Sequence, residues 1–163
     1  MRGHSHASCE MYAGADYRKS VARRLQFVGF VRGGVMTQRR AMLILHGKQA
    51  LNEDVRDAVA DKRKQGWELD VRLTWEAGDA QRLVGEALAA GHRHIVAGGG
   101  DGTLRDIAEA LALAETQASL TILPLGTAND FARAAGVPLE VSKALQLMDV
   151  APRAVDLGEV GGK

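Results

Sequence analysis

One stretch constrains this 163-residue chain more than any other: Ile95-Val96-Ala97-Gly98-Gly99-Gly100-Asp101-Gly102-Thr103-Leu104-Arg105-Asp106. The short apolar run from Ile95 to Ala97 reads as a buried strand. Glycines crowd around a single aspartate after it, and a helical pattern then begins at Thr103, with Leu104, Ile107, Ala108 and Leu111 on one face. Glycine has no Cβ, so the backbone can bend sharply and approach an anion closely. A helix start adds unpaired N–H donors and a partial positive charge. Thr103 is placed to cap this helix, and Asp106 three residues on suits a capping box. The dinucleotide fingerprint is excluded, because Thr103 stands where its third glycine should be. A P-loop is excluded as well, because no Lys-Ser/Thr pair follows. A tight turn without a ligand is the plain alternative, but such a turn needs fewer glycines.

The device occurs a second time. Leu120-Thr121-Ile122-Leu123-Pro124-Leu125 is another apolar run, and Gly126-Thr127-Ala128-Asn129-Asp130-Phe131-Ala132-Arg133 follows it. Both sites read Gly-Thr-x-x-Asp: Gly102, Thr103 and Asp106, then Gly126, Thr127 and Asp130. Each ends a strand and starts a helix at the same edge of a sheet. Two adjacent anion-binding bends suit a polyphosphate better than a single carboxylate.

Size and composition fit one domain with a real core. Hydrophobic residues make up 46% and charged residues 25%, ordinary for a globular chain, and the core is mostly aliphatic because aromatics are only 4%. Cys9 is the single cysteine. It allows no internal disulfide and suggests no metal cluster, so a reducing, cytoplasmic setting is expected. No apolar run approaches the ~20 residues that span a bilayer. The net charge of +1 hides an asymmetry: residues 1 to 40 hold eight Lys/Arg against Glu10 and Asp16, and the remainder is acidic. An acidic domain does not attract nucleic acid. It needs Mg²⁺ to hold a nucleoside triphosphate comfortably.

Residues 1–39 show no sustained period and read as a disordered basic extension. A basic arm touching anionic headgroups is the functional alternative there. Met36 is a candidate start, and His4 and His6 are surface histidines. The domain proper covers 40–150. Ala41 to Leu45 is a strand covered on both faces, leading into His46-Gly47-Lys48. Asn52 caps a helix over 53–65, Trp67 to Leu73 alternates as a half-buried strand, and Asp79 caps a helix over 80–90. His92 and His94 sit at the far end of the next strand and read as structural. The helix after Asp101 runs to about Glu115, the one after Thr127 is stopped by Gly136-Val137-Pro138, and 140–149 form another. This β-α-β-α-β-α-β-α-α order predicts an α/β domain with a mainly parallel sheet between helical layers. Ligands bind such sheets at the carboxyl ends of the strands, where Lys48, Thr74, Asp101 and Thr127 all fall.

Gly99-Gly100-Asp101-Gly102-Thr103, with Leu123-Pro124-Leu125-Gly126-Thr127-Ala128-Asn129-Asp130-Phe131-Ala132, resembles the diacylglycerol-kinase catalytic domain. Val71-Arg72-Leu73-Thr74-Trp75-Glu76 and Leu43-Ile44-Leu45-His46-Gly47-Lys48 narrow the resemblance to YegS-type bacterial lipid kinases, over residues 40 to 160. The glycine-aspartate motif alone is shared with NAD kinases and is similar to that of phosphofructokinases. The Asn129-Asp130-Phe131-Ala132 motif is far more specific to lipid kinases. The resemblance implies a three-layer αβα nucleotide-binding domain, ATP and Mg²⁺ as cofactors, and a lipid hydroxyl, on phosphatidylglycerol or diacylglycerol, as phosphoryl acceptor. It implies a nucleotide site at Thr74, Gly99, Gly100, Asp101, Gly102, Thr103, Leu104, Arg105, Asp106, Thr127 and Asn129. On the residues alone, Thr74 is a β-branched strand end. Asp101 either holds Mg²⁺ through water or accepts from a ribose or phosphate-bound group. Arg105-Asp106 departs from the Asn-Glu common in the family, and His46 replaces a frequent Asn.

The same resemblance sets the catalytic base and the key metal ligands in a second, β-rich domain. Val155 to Val160 reads as a strand and Gly161-Gly162 as a hairpin turn whose returning strand is missing. Residues 151–163 are therefore expected to open that second domain, and the chain on its own to bind nucleotide weakly with little or no turnover. The unpaired final strand would invite association, so a homo-oligomer is an open expectation. Peripheral contact with the inner membrane is expected for a lipid substrate. A NAD-kinase-like enzyme, a non-catalytic nucleotide-binding module and a ligand-free interaction domain are the other readings.

Overall fold

The computed structural model describes the backbone of residues 23–27, then residues 39–114 and 116–157. Cys9, His4, His6, Met36 and the Gly161-Gly162 turn lie outside the described residues.

Among the described residues, six strands form one sheet in the order β3-β2-β4-β5-β1-β6. They are β1 (Arg23–Phe27), β2 (Arg40–His46), β3 (Glu68–Thr74), β4 (His94–Gly99), β5 (Ser119–Pro124) and β6 (Arg153–Leu157). All neighbours run parallel except β1 and β6, which are antiparallel. The helices are α1 (Glu53–Lys64), α2 (Asp79–Ala89), α3 (Asp101–Leu113), α4 (Asp130–Ala134) and α5 (Val141–Gln146).

The central strands β2, β4 and β5 are buried almost end to end, as strands covered on both faces must be. Alternate residues point to opposite layers. Ala41, Leu43 and Leu45 join Val55, Ala58 and Val59 of α1 and Ala144 and Leu145 of α5. Met42 and Ile44 join Leu83, Val84 and Ala87 of α2 and Ile107 and Leu111 of α3. The domain is thus a three-layer α/β fold with a mainly parallel sheet.

Helix ends follow the sequence closely. Asn52 caps α1, its side chain accepting from the Val55 N–H at 3.3 Å, and left-handed Gly66 (φ 92°) turns the chain out. Two capping assignments change. The N-cap of α3 is Gly100, so Thr103 and Asp106 lie within the helix and form no capping box. The N-cap of α2 is Gly78, left-handed at φ 91°, and Asp79 turns its carboxylate backward into the preceding loop. In both cases the glycine takes the cap conformation and frees the acidic or hydroxyl side chain for another partner.

β1 lies inside the stretch that the sequence reads as unstructured. Flanked by β5 and β6, it pairs Gln26 with Ser119 and Leu25 with Val155. A strand with partners on both sides satisfies its backbone groups whatever its side-chain period, which is why five residues without a clear pattern are enough. The same pairing gives β6 a neighbour, so the expected unpaired strand is a half-paired sheet edge.

Candidate functional site

The carboxyl ends of four strands are level with one another. His46 is in register with Thr74, Leu45 with Gly98, and Gly99 with Pro124. From β2 the chain steps outward to β3 and then crosses back to β4 on the other side. The topological switch, where α/β sheets open a crevice, therefore lies between β2 and β4.

At this edge the two glycine bends touch. A Cβ built on Gly126 would sit 2.5 Å from Gly100 Cα, and one on Gly100 would sit 3.3 Å from Gly126 Cα. Gly126 must be glycine for that approach, and a side chain at Gly100 would be tight. The Leu125 N–H donates to the Gly99 carbonyl at 2.8 Å, continuing the β4–β5 ladder into the bends. Asn129, left-handed at φ 52°, folds its amide back on Gly126, accepting from its N–H at 2.9 Å and donating to its carbonyl at 2.7 Å. Asp101 then clasps the second bend from the first. Its two carboxylate oxygens accept from the N–H groups of Asp130 (3.1 Å) and Phe131 (3.2 Å), the start of α4. Gln49, from the loop after β2, donates to the Leu125 carbonyl at 3.1 Å. Three loops are thereby joined at one edge.

The bends keep donors for something else. The first intrahelical bond of α3 runs from the Leu104 N–H to the Gly100 carbonyl at 3.1 Å, which leaves the amides of Asp101, Gly102 and Thr103 without a helical acceptor. Gly99 is required by Thr103, whose hydroxyl would lie 2.5 Å from an added Cβ. Among the described residues nothing requires Gly102: its φ is ordinary, it is exposed, and a Cβ there would meet no described atom within 4 Å. Such a glycine keeps the surface bare for a close approach from outside. Gly99, Gly100, Asp101, Pro124 and Asn129 line a small hollow at this edge.

The remaining sequence-derived positions divide. Thr127 is exposed on the second bend. Thr74 shares the edge but stands two strands away from Gly99, about 10 Å at the usual ~4.8 Å strand spacing. Leu104 packs against both hydrophobic layers. Arg105 and Asp106 bond to each other, Nη2 to Oδ1 at 2.9 Å, on an exposed face. No group of three or more His, Cys, Asp or Glu that could hold a metal occurs among the described residues.

Two contributors were invisible in the sequence. Gln49 carries no motif. Asp79 reads as a cap, yet its Oδ2 accepts from the N–H groups of Trp75 (2.7 Å) and Glu76 (3.1 Å), and its Oδ1 from Arg82 Nη2 (2.6 Å). The Trp75 amide first, then Arg82 and the Glu76 amide, hold its pKa down to about 2. Asp79 thus fixes the loop that follows Thr74.

A mainly parallel sheet between helical layers, with two apposed glycine bends at its carboxyl edge, is the fold of diacylglycerol-kinase-like domains. The chain belongs to the diacylglycerol kinase catalytic domain family, which matches residues 40–160. It is 99% identical over 128 residues to a Pseudomonas savastanoi pv. phaseolicola protein named "Probable lipid kinase YegS-like", covering 78% of this chain and 42% of that one. A Pseudomonas aeruginosa protein of the same name is 65% identical over the same shares. A crystal structure of a diacylglycerol kinase from Bacillus anthracis superposes with a TM-score of 0.59 at 29% identity, covering 70% of this chain and 40% of that one. The chain therefore spans less than half the length of these relatives.

Proposed function

We propose that the carboxyl edge binds the triphosphate of ATP, and that the chain is the nucleotide-binding part of a lipid kinase that transfers the γ-phosphoryl group to a hydroxyl of diacylglycerol or phosphatidylglycerol. One observation carries this reading: two glycine bends in backbone contact, with the amides of Asp101, Gly102 and Thr103 lacking a helical acceptor beside an exposed glycine whose added Cβ would meet no described atom. Phosphoryl transfer is largely a matter of position and charge, and main-chain amides supply both without moving.

Mg²⁺ fits as a metal carried by the phosphates, since the described residues offer no carboxylate cluster to hold it alone. Bound there, it would neutralise charge on the triphosphate. Asp101 already accepts from two amides, so its place is to hold the bends together, with water between it and any metal. Residues 40–150 form the nucleotide-binding domain in this reading, and 151–163 lead toward a second domain. The general base belongs to the part of the longer relatives that this chain does not match. In this reading lipid reaches the site by peripheral contact; no helix among the described residues is long and apolar enough to cross a membrane.

Titration calorimetry with MgATP tests the first part. The chain should bind. Asp101→Ala, which removes a cap worth about 1 kcal/mol, should weaken binding by about fivefold. Unchanged affinity in that variant, or no binding by the parent chain, would sink the reading. Turnover of dispersed diacylglycerol by the 163-residue chain should stay near background. A NAD-kinase-like activity is the second reading, prompted by the shared glycine-aspartate bend, and NAD offered as the acceptor to a full-length relative decides between them.

A further inference from the structure

We propose that Trp75 is the platform on which the base of the bound nucleotide stacks. The inference rests on the triphosphate site proposed above and adds the part of the ligand that site leaves unaddressed.

Trp75 is 81% exposed, whereas the other tryptophan, Trp67, is 3% exposed. A large exposed indole usually sits on a loose loop, but this one does not. Its own N–H is held at 2.7 Å by the buried carboxylate of Asp79, the next N–H is held by the same oxygen, and Arg82 anchors that carboxylate from α2. On its inner side the loop lies directly against the loop after β2: a Cβ on Gly47 would be 2.5 Å from the Thr74 carbonyl oxygen and 3.9 Å from Trp75 Cε3. The backbone that carries the indole is therefore held beside the β2 loop, on the flank of the switch-point crevice. Ordering of a binding group before the ligand arrives lowers the entropic cost of binding.

Position selects the ligand. Trp75 follows Thr74, which is two strands from Gly99, about 10 Å along the sheet edge. A nucleoside triphosphate with its phosphates over the amides of residues 101–103 is long enough to bring its base to that point. A flat π-face suits a base, and stacking tolerates any base that the edge does not read by hydrogen bonds. A phosphate or a metal has no use for it.

The test compares MgATP with magnesium tripolyphosphate, which has the phosphates and lacks the base. In the parent chain, MgATP should quench the exposed-indole emission of Trp75, and tripolyphosphate should bind without quenching. Trp67 is buried and hydrogen-bonded to Asp149, so it should stay silent. By calorimetry, Trp75→Ala should weaken MgATP about tenfold and leave tripolyphosphate within about twofold, while Trp75→Phe should recover most of the loss. Circular dichroism melts should coincide for all three proteins. Equal MgATP affinity in Trp75→Ala overturns the stacking role and leaves the phosphate site standing. A blue shift of Trp75 on phosphatidylglycerol vesicles, with no response to MgATP, overturns it in favour of a membrane wedge. Failure of both MgATP and tripolyphosphate to bind overturns this inference together with the triphosphate reading.

Discussion

The two ends of the same sheet use polar groups in opposite ways. At the amino end a cluster around Lys62, Asp149, Trp67 and His94 is turned inward and matched within itself. Lys62, buried at the end of α1, is paired with Asp149, and Trp67 Nε1 donates to the other oxygen of that carboxylate at 2.9 Å. The Trp67 ring meets the edge of His94 at a centroid distance of 5.4 Å, and the His94 ring nitrogens reach Ser119 Oγ at 3.0 Å and Thr121 Oγ1 at 2.8 Å. Burial alone would raise the Asp149 pKa, but the bonds from Lys62 and Trp67 outweigh it and bring it below the usual carboxylate range. At the carboxyl end the side chains brace the backbone and leave the first amides of α3 without a helical acceptor. A network closed on itself holds α1, α5 and the sheet together, whereas donors left open can meet a ligand.

The contrast breaks most directly at Gly126. Gly126→Ala drives a Cβ to 2.5 Å from Gly100 Cα, where only backbone could yield. It should cost about 3 kcal/mol of stability and abolish MgATP binding. A variant with parental melting and affinity would show that the bends need not touch.

The amino end sharpens the contrast through pH. Burial, with Lys62 adding and Asp149 opposing, holds the His94 pKa down to about 4, below its ordinary 6.5. In the unfolded chain the imidazole takes a proton near pH 6.5, and in the folded chain it refuses one until about pH 4. The unfolded state therefore binds more protons across that window, and stability falls as pH falls through it, by about 2 kcal/mol at pH 5. Asp79 titrates lower, between its ordinary 3.8 and about 2, so the two losses separate. Urea midpoints at pH 7 and pH 5 should differ in the parent chain and differ much less in His94→Leu. Equal midpoints in the parent would remove His94 from the account.

The smallest effect carries the sharpest sign. Gly102→Ala meets no atom of the protein and replaces glycine in the first turn of α3. It should raise stability by about 0.5–1 kcal/mol while weakening MgATP about tenfold. Loss of stability, or unchanged affinity, would mean that the bare surface at Gly102 serves the fold and no ligand.

Much of this was legible in the chain. Continuous apolar runs at 41–45, 95–97 and 120–125 could only be strands buried on both faces, and glycine punctuation at Gly66, Gly91 and Gly136 marked the helix ends. The two Gly-Thr-x-x-Asp bends were legible because their spacing is local. Gln49, Asp79 and β1 were not. Gln49 reaches Leu125, 76 residues away, and no local pattern encodes such a partner. Asp79 and Thr103 read as caps in the sequence, but Gly78 and Gly100 take the cap positions without a side chain. β1 is defined by the neighbours that pair with it and has no period of its own.

The sequence by itself determined the α/β class, the two bends and the family, because each rests on residues close together along the chain. Only the tertiary structure decided that Gly100 meets Gly126 at van der Waals contact, that Asp101 spends its carboxylate on α4, and that Trp75 stands exposed on a braced loop at the same edge. These are contacts between segments that strand register brings level, and register belongs to the sheet as a whole.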